Sequence, residues 1–256
     1  MIIKEDIYFP FANEDRRLHI YLPDDYYSEG NEERYAVMYM WDGQNLFNDC
    51  DATFGKSWEL SNFLQGYWKR MIVVGMECAH NSPQRCNEYC PYSVEIGDVG
   101  KLRGDAENTI QWVIEKVKPY IDRRFRTWSH REATAVGGSS MGGMMSLYTI
   151  LKHNDIFSKA AVISPSIRTS MSHFLNEIKD ADIKPDTRIF FSWGTNEWNS
   201  LEVEKTVRNY ILELEREIQT KQPSCRTYIF RQEGGLHNEA SWELQLPTLF
   251  PFLWES

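Results

Sequence analysis

The sequence predicts an α/β fold: a mostly parallel central sheet with helices on both faces and an antiparallel hairpin at its amino end. Three observations carry this. From residue 35 onward, short apolar runs alternate with helical patterns, which is how successive βαβ units read. The runs YAVMYMW (35–41) and MIVVGMEC (71–78) are apolar throughout, as strands buried on both faces must be. Before them, IIKEDIYFPF and RRLHIYLP flank the polar turn ANEDR, which predicts two paired strands. Crossovers between parallel strands are right-handed, so successive helices can cover both faces of the sheet.

The remaining elements follow in order. WELSNFLQGYWK (58–69) is predicted helical. Between Asp105 and Phe125, apolar residues recur at Ile110, Val113, Ile114, Val117, Tyr120 and Ile121, a spacing of three and four that predicts an amphipathic helix. ATAVGG is a short strand, and MGGMMSLYTILKH a helix that tolerates two glycines at its start. AAVISPS is a strand ended by proline, MSHFLNEIKD a helix and RIFFSWG a strand. A long helix, VEKTVRNYILELEREIQ, and a last strand, RTYIFRQ, precede WELQLPTLFPFLWE, an apolar helix interrupted by prolines. The length of 256 residues fits one α/β domain spanning 1–256, and there is no repeat or low-complexity tract.

Composition narrows the function. A net charge of -9 argues against nucleic acid or an anionic membrane as the main partner. The opening MIIKEDIYFPFANEDRR has no basic segment followed by an apolar one, so no secretory signal is visible, and no apolar run reaches the ~18–20 residues of a membrane span. The odd count of five scattered cysteines fits reduced thiols, and the expected location is cytoplasmic. Cys86 and Cys90 are separated by three residues rather than the two of a zinc knuckle, and no second pair follows. No metal site is expected.

The stretch AVGGSSMGGMM contains Gly138-Ser139-Ser140-Met141-Gly142, which matches G-x-S-x-G between a strand and a helix. Glycines at 138 and 142 spare the sharp turn from side-chain clashes, so the Ser140 hydroxyl is pushed above the sheet edge. Met141 then supplies a backbone N–H beside it, and the helix start favours an oxyanion. A glycine-rich turn without chemistry reads the same way, so partners are required.

A serine needs a base, and in such a turn the chain order is Ser, then Asp or Glu, then His. His19, His80 and His130 precede the serine, while His153 and His173 sit in or beside helices. His237 alone follows the last strand, in a loop with two glycines. Glu197 directly follows RIFFSWG and is placed to orient the imidazole; its alternative role is a carboxylate at a helix amino end. Asp186 lies before that strand, Glu202 and Glu204 on the next helix, and Glu239 too near His237 in sequence to face it easily. A second oxyanion donor is expected in WDGQNLFNDC, where Gly43 lets the amide of Gln44 approach. Trp58, Trp193 and Trp198 adjoin these loops, either as an aromatic substrate platform or as core.

Taken together, YMWDGQNLF, RCNEYCPY, GGSSMGG, VISPS, FFSWGTNE and EGGLHNEASWELQLP resemble the "Putative esterase" family of α/β-hydrolases, which includes esterase D, enterochelin esterases and feruloyl esterases. The resemblance spans nearly the whole chain and implies the α/β-hydrolase fold and serine-dependent hydrolysis of a small-molecule ester, with no metal or organic cofactor. It implies Ser140 as nucleophile, His237 as base, Glu197 as acid, and the Gln44 and Met141 amides as the oxyanion hole. Many relatives have His-Gly where this chain has Asp42-Gly43, and some use aspartate as the acid. Arg85 and Glu88 fall in a family block and read first as an ion pair holding a loop, then as substrate contacts. Two other readings stand beside esterase action: an acyltransferase with the same three residues, separated by water access, and a non-catalytic binding protein, which predicts a missing member of the three.

Overall fold

Residues 14–21 carry their apolar side chains toward the sheet while residues 2–9 alternate, and the two form an antiparallel hairpin, β1 (Ile2–Phe9) and β2 (Glu14–Tyr21). The structure, a computed structural model, describes residues 1–96 and 100–255. The next strands are β3 (Ala36–Trp41) and β4 (Met71–Met76), separated by α1 (Leu60–Gly66); both are buried at every position. There follow α2 (Ser82–Tyr89), a small ribbon of β5 (Glu95–Ile96) with β6 (Gly100–Lys101), and the helical stretch α3 (Ala106–Trp112) and α4 (Lys118–Arg124). Then come β7 (Thr134–Ser139), α5 (Met141–Lys152), β8 (Lys159–Ile163), α6 (Met171–Asp180), β9 (Arg188–Gly194), α7 (Leu201–Lys221) and β10 (Arg226–Gln232). Two short helices, α8 (Glu239–Glu243) and α9 (Leu246–Trp254), end the described chain.

One sheet takes eight strands in the order β1-β2-β4-β3-β7-β8-β9-β10. From β4 to β10 every pairing is parallel; only the hairpin and the β2–β4 join are antiparallel. This is the predicted α/β-hydrolase architecture. Alternation along β3 shows both faces in use: Val37, Tyr39 and Trp41 enter a core shared with α2 through α7, while Met38 and Met40 enter a second core with α1, α8 and α9. At roughly 1.5–3 kcal/mol for each fully buried large apolar side chain, these two layers supply the main drive for folding.

Three elements depart from the sequence reading. The helix expected over 58–69 is confined to Leu60–Gly66, because the amides of Trp58 and Leu60 are drawn to the carbonyls of Asn45 and Leu46. The long helix opens into a π turn, Val113–Val117, ending two residues before Pro119, where a regular turn would bring the proline ring against a preceding carbonyl. The segment around RCNEY is helix α2, not a loop. No described helix is long and apolar enough to cross a membrane.

Lys159 begins β8 inside the fold, 8% exposed, its ammonium donating to the Glu132 carbonyl at 2.6 Å and the Ser158 hydroxyl at 2.8 Å. Burial, reinforced by the nearby Arg188 cation, lowers its pKa to about 8. The unfolded chain therefore holds more protons between about pH 8 and 10, so stability contributed at this residue rises with pH across that window. A shift of this size corresponds to about 3 kcal/mol. In urea titrations at pH 7.5 and pH 10, we expect Lys159→Met to gain stability over the parent at the lower pH and to lose most of that advantage at the higher one. Using the difference between the two proteins cancels the titration of buried tyrosines and cysteines.

Candidate active site

Ser140 sits on the turn between β7 and α5 at φ 58° and ψ -119°, a conformation that L residues rarely adopt. Three backbone hydrogen bonds hold it there: its amide donates to the Ile163 carbonyl at 3.0 Å, and its carbonyl accepts from Ser166 at 3.0 Å and Met144 at 3.1 Å. The flanking glycines keep this turn free of tight contacts. A Cβ on Gly138 would lie 3.0 Å from the Gly142 backbone, and one on Gly142 would lie 3.1 Å from Trp41 Cβ. The Ser140 hydroxyl is 3.2 Å from Ser166 Oγ and makes no hydrogen bond to His237 among the described residues.

Glu197 and His237 come from neighbouring loops that are tied together. The amides of Thr195 and Asn196 donate to the carbonyls of Gln232 and Gly235, and a Cβ on Gly194 would be 2.3 Å from the Gly235 carbonyl oxygen. Glu197 Oε2 accepts from His237 Nδ1 at 2.9 Å, with the carboxylate side chain fully out of solvent and the imidazole partly in it. Glu197 Oε1 accepts from the Gly194 amide at 2.6 Å and the Ser164 hydroxyl at 2.5 Å. Ser164 in turn accepts from Trp242 Nε1 at 2.9 Å, and the Trp242 ring meets the imidazole edge-on with centroids 5.1 Å apart. Both carboxylate oxygens are thus occupied, which fixes the imidazole with Nδ1 toward Glu197 and Nε2 outward. Ser164 and Trp242 carry this support. Neither was singled out from the sequence, although each lies in a quoted block, VISPS and HNEASWELQLP.

A cavity of about 740 Å³ opens above this point, lined by Ser140, His237, Gln44, Arg85, Glu239 and Trp242 among others. Gln44 lies in a tight turn, Gly43–Asn45, pressed so closely on β4 that a Cβ on Gly43 would be 2.3 Å from the Gly75 backbone. The amides of Gln44 and Met141 donate to no protein acceptor among the described residues; Met141 opens α5, where an amide has no intrahelical partner.

The aromatic platform does not form. Trp58 and Trp193 are 2% and 1% exposed; Trp58 packs on Trp242 in the core, and Trp193 donates to Glu204 at 3.0 Å beneath the sheet edge. Trp198 packs against the core and does not line the cavity. Burial of their large surfaces outweighs their nearness to loops in sequence.

Arg85 and Glu88 do not pair with each other. From α2, Arg85 makes a two-pronged ion pair with Asp42, both contacts 2.7 Å, while Glu88 binds Arg16 at 2.8 Å and 3.0 Å. Burial opposes the charge on Arg85, and the Asp42 carboxylate overcomes it, raising the guanidinium above the ordinary arginine value. Burial also raises the pKa of Cys78 and of Glu239, whose Oε1 accepts from Asn45 Nδ2 at 3.2 Å. Asp42 has φ 57°, which asparagine tolerates, so Asp42→Asn removes the charge without disturbing the backbone. We expect it to cost about 2 kcal/mol in urea denaturation, the worth of a charge-assisted pair with one partner near solvent.

The sequence matches the "Putative esterase" family over residues 11–253. It is 25% identical over 189 residues, 72% of this chain and 69% of the relative, to a Bacillus subtilis protein described as "Uncharacterized protein YbbA". In structure it is similar to the BES protein from Bacillus cereus, with 19% identity, TM-score 0.75, and coverage of 98% of this chain and 95% of that one. It is also similar to the siderophore hydrolase EstA from Aspergillus nidulans, with 15% identity, TM-score 0.77, and coverage of 100% and 95%. At such identities the structural likenesses establish the fold, and the family match over nearly the full length establishes the class. The chain belongs to the "Putative esterase" family and is a hydrolase of the carboxylesterase type.

Proposed function

We propose that the protein hydrolyses a small-molecule ester through an acyl-enzyme on Ser140, with His237 as base and Glu197 as the acid that orients it. The observation that carries this reading is the 2.9 Å contact between Glu197 Oε2 and His237 Nδ1, made beside the same cavity that Ser140 lines. The reaction requires the Ser140 hydroxyl to leave Ser166 and turn to His237 Nε2, a contact that resting enzymes often hold loosely. His237 accepts the hydroxyl proton as Oγ bonds to the ester carbonyl carbon, and the carbonyl oxygen becomes an anion. The amides of Gln44 and Met141 receive that charge, each donor contributing roughly 3–4 kcal/mol. His237 then returns the proton to the departing alcohol. Water, activated by the same imidazole, cleaves the acyl-serine and restores the enzyme.

Arg85 contributes to this cavity through Asp42. Its charge is already matched there, so we assign it to holding the Gly43–Asn45 turn rather than to binding an anionic substrate. Ser140, Glu197 and His237 are all present, against the non-catalytic alternative, and the esterase family match favours hydrolysis over acyl transfer. The test is a panel of p-nitrophenyl esters of increasing acyl length, run with the parent and Ser140→Ala. Turnover is expected from the parent and lost in the variant; equal turnover by both would remove the assignment.

A further inference from the structure

A second concavity, of about 650 Å³, lies at the opposite end of the parallel strands, where Ala36 opens β3, Lys159 opens β8 and Arg188 opens β9. Five residues of β8 separate it from the loop carrying Ser164, about 17 Å at the usual rise of a strand. Nothing in the proposed reaction uses it.

Its chemistry is unlike the rest of the molecule. The chain carries a net charge of -9, yet Arg34, Lys69, Lys159 and Arg188 all face this one hollow. None of the four forms an ion pair among the described residues. Arg34 donates to the Thr127 carbonyl at 3.1 Å, and Lys69 lies over the Trp68 ring at 5.6 Å. Lys159 has carbonyl and hydroxyl partners and lies over the Trp254 ring at 5.0 Å, with no carboxylate in contact among the described residues. Arg188 caps the carbonyls that end α9 through Nη1 alone, leaving Nε and Nη2 without a protein acceptor among the described residues. The two lining acids are already engaged, Glu33 with Arg70 at 3.5 Å and Glu132 with His130 at 2.9 Å. Helix capping accounts for the position of Arg188, but it does not account for Arg34 or Lys69.

Two large indoles flank the same hollow in solvent: Trp68 is 68% exposed and Trp128 is 49% exposed. Exposed together at the mouth of one hollow, they offer apolar faces that the ring of a ligand could cover. Trp68 is held in place by a hydrogen bond from Nε1 to Glu255 at 2.9 Å, so its ring is presented rather than loose. Flat π-faces beside unpaired cations suit a ligand that has a ring and a negative charge together.

We propose that this hollow binds a small anion bearing a flat aromatic ring, as a mononucleotide or an aryl carboxylate does, with the cations taking the charge and the indoles the ring. The shared chemistry is a planar ring joined to a phosphate or carboxylate, and the source is separated by titration. AMP, 2-naphthoate, inorganic phosphate and adenosine are each titrated into the full-length protein by calorimetry at low salt. One of the two ringed anions is expected to bind at a single site at least about tenfold more tightly than phosphate or adenosine, the worth of one charge-assisted contact. Arg34→Gln with Lys69→Gln, both at the surface, is expected to weaken that binding by about tenfold or more while p-nitrophenyl ester turnover is unchanged. Trp128→Ala is expected to remove the advantage over phosphate. The proposal is overturned if neither ringed anion binds at millimolar concentration, if adenosine binds as tightly as AMP, or if the double variant binds like the parent. That last outcome would place an aryl carboxylate in the ester cavity as a product.

Discussion

Replacing Ser140 with alanine is expected to reduce kcat for ester hydrolysis by roughly 10⁴- to 10⁶-fold while leaving the fold intact, the scale seen when a nucleophile acting in concert with its base is deleted. Replacing it with glycine should be equally inactive, yet more stable than alanine. The two variants differ in one respect that matters here. Position 140 is held at φ 58° and ψ -119°, and alanine keeps the Cβ that makes this conformation costly while glycine removes it. Strain of this kind is worth about 1–3 kcal/mol, and the greater freedom of glycine in the unfolded chain returns part of it. The net advantage of Ser140→Gly over Ser140→Ala is then about 1 kcal/mol, or a Tm roughly 2–4 °C higher for a chain of this size. Scanning calorimetry on the pair measures it. A glycine variant no more stable than alanine would mean that the turn stores no strain, and a serine displayed without strain is an ordinary turn residue.

The parts of this molecule visible in the sequence are those whose signal is local. β3 and β4 are buried on both faces, so they appear as unbroken apolar runs, and α6 follows its hydrophobic spacing from Met171 to Asp180. The approach of Glu197 to His237, beside the cavity that Ser140 lines, could be read because each residue follows a strand, and a parallel sheet brings such loops to one edge. What was illegible depends on distant partners. α2 was hidden because two of its inward residues, Arg85 and Glu88, are charged, and only Asp42 and Arg16, far away in sequence, make their burial tolerable. Trp58 and Trp193 stand next to site-forming loops in sequence but turn into the core, a direction that position along the chain does not specify. The basic hollow was hidden for the same reason: its four cations without an ion pair come from four separate segments, and their nearness exists only once the strands are aligned.

The second large effect is expected from Glu197→Gln, a change of one atom in a side chain that is fully out of solvent. The carboxylate takes two hydrogen bonds on Oε1, from Gly194 and Ser164, and one on Oε2, from His237 Nδ1. Glutamine can keep the first two only by placing its carbonyl oxygen there, because both partners are donors. Its NH₂ group must then face Nδ1. That NH₂ group donates and cannot accept a hydrogen bond from Nδ1–H, so the imidazole is driven to the tautomer with Nδ1 bare and Nε2 protonated. That form cannot take the hydroxyl proton of Ser140, and the negative charge that would stabilise the imidazolium is also gone. We expect kcat to fall by roughly 10³- to 10⁴-fold with KM little altered, since the substrate does not touch Glu197 in this scheme. Ser164→Ala provides the graded comparison: it removes one donor to Oε1 and leaves the carboxylate charged, so a loss of about tenfold is expected from loosened orientation alone. If Glu197→Gln instead kept most of its kcat while Ser140→Ala lost it, His237 would have to act without the carboxylate. The Gly194, Ser164 and Trp242 contacts would then serve to hold the two loops together, not to orient the base.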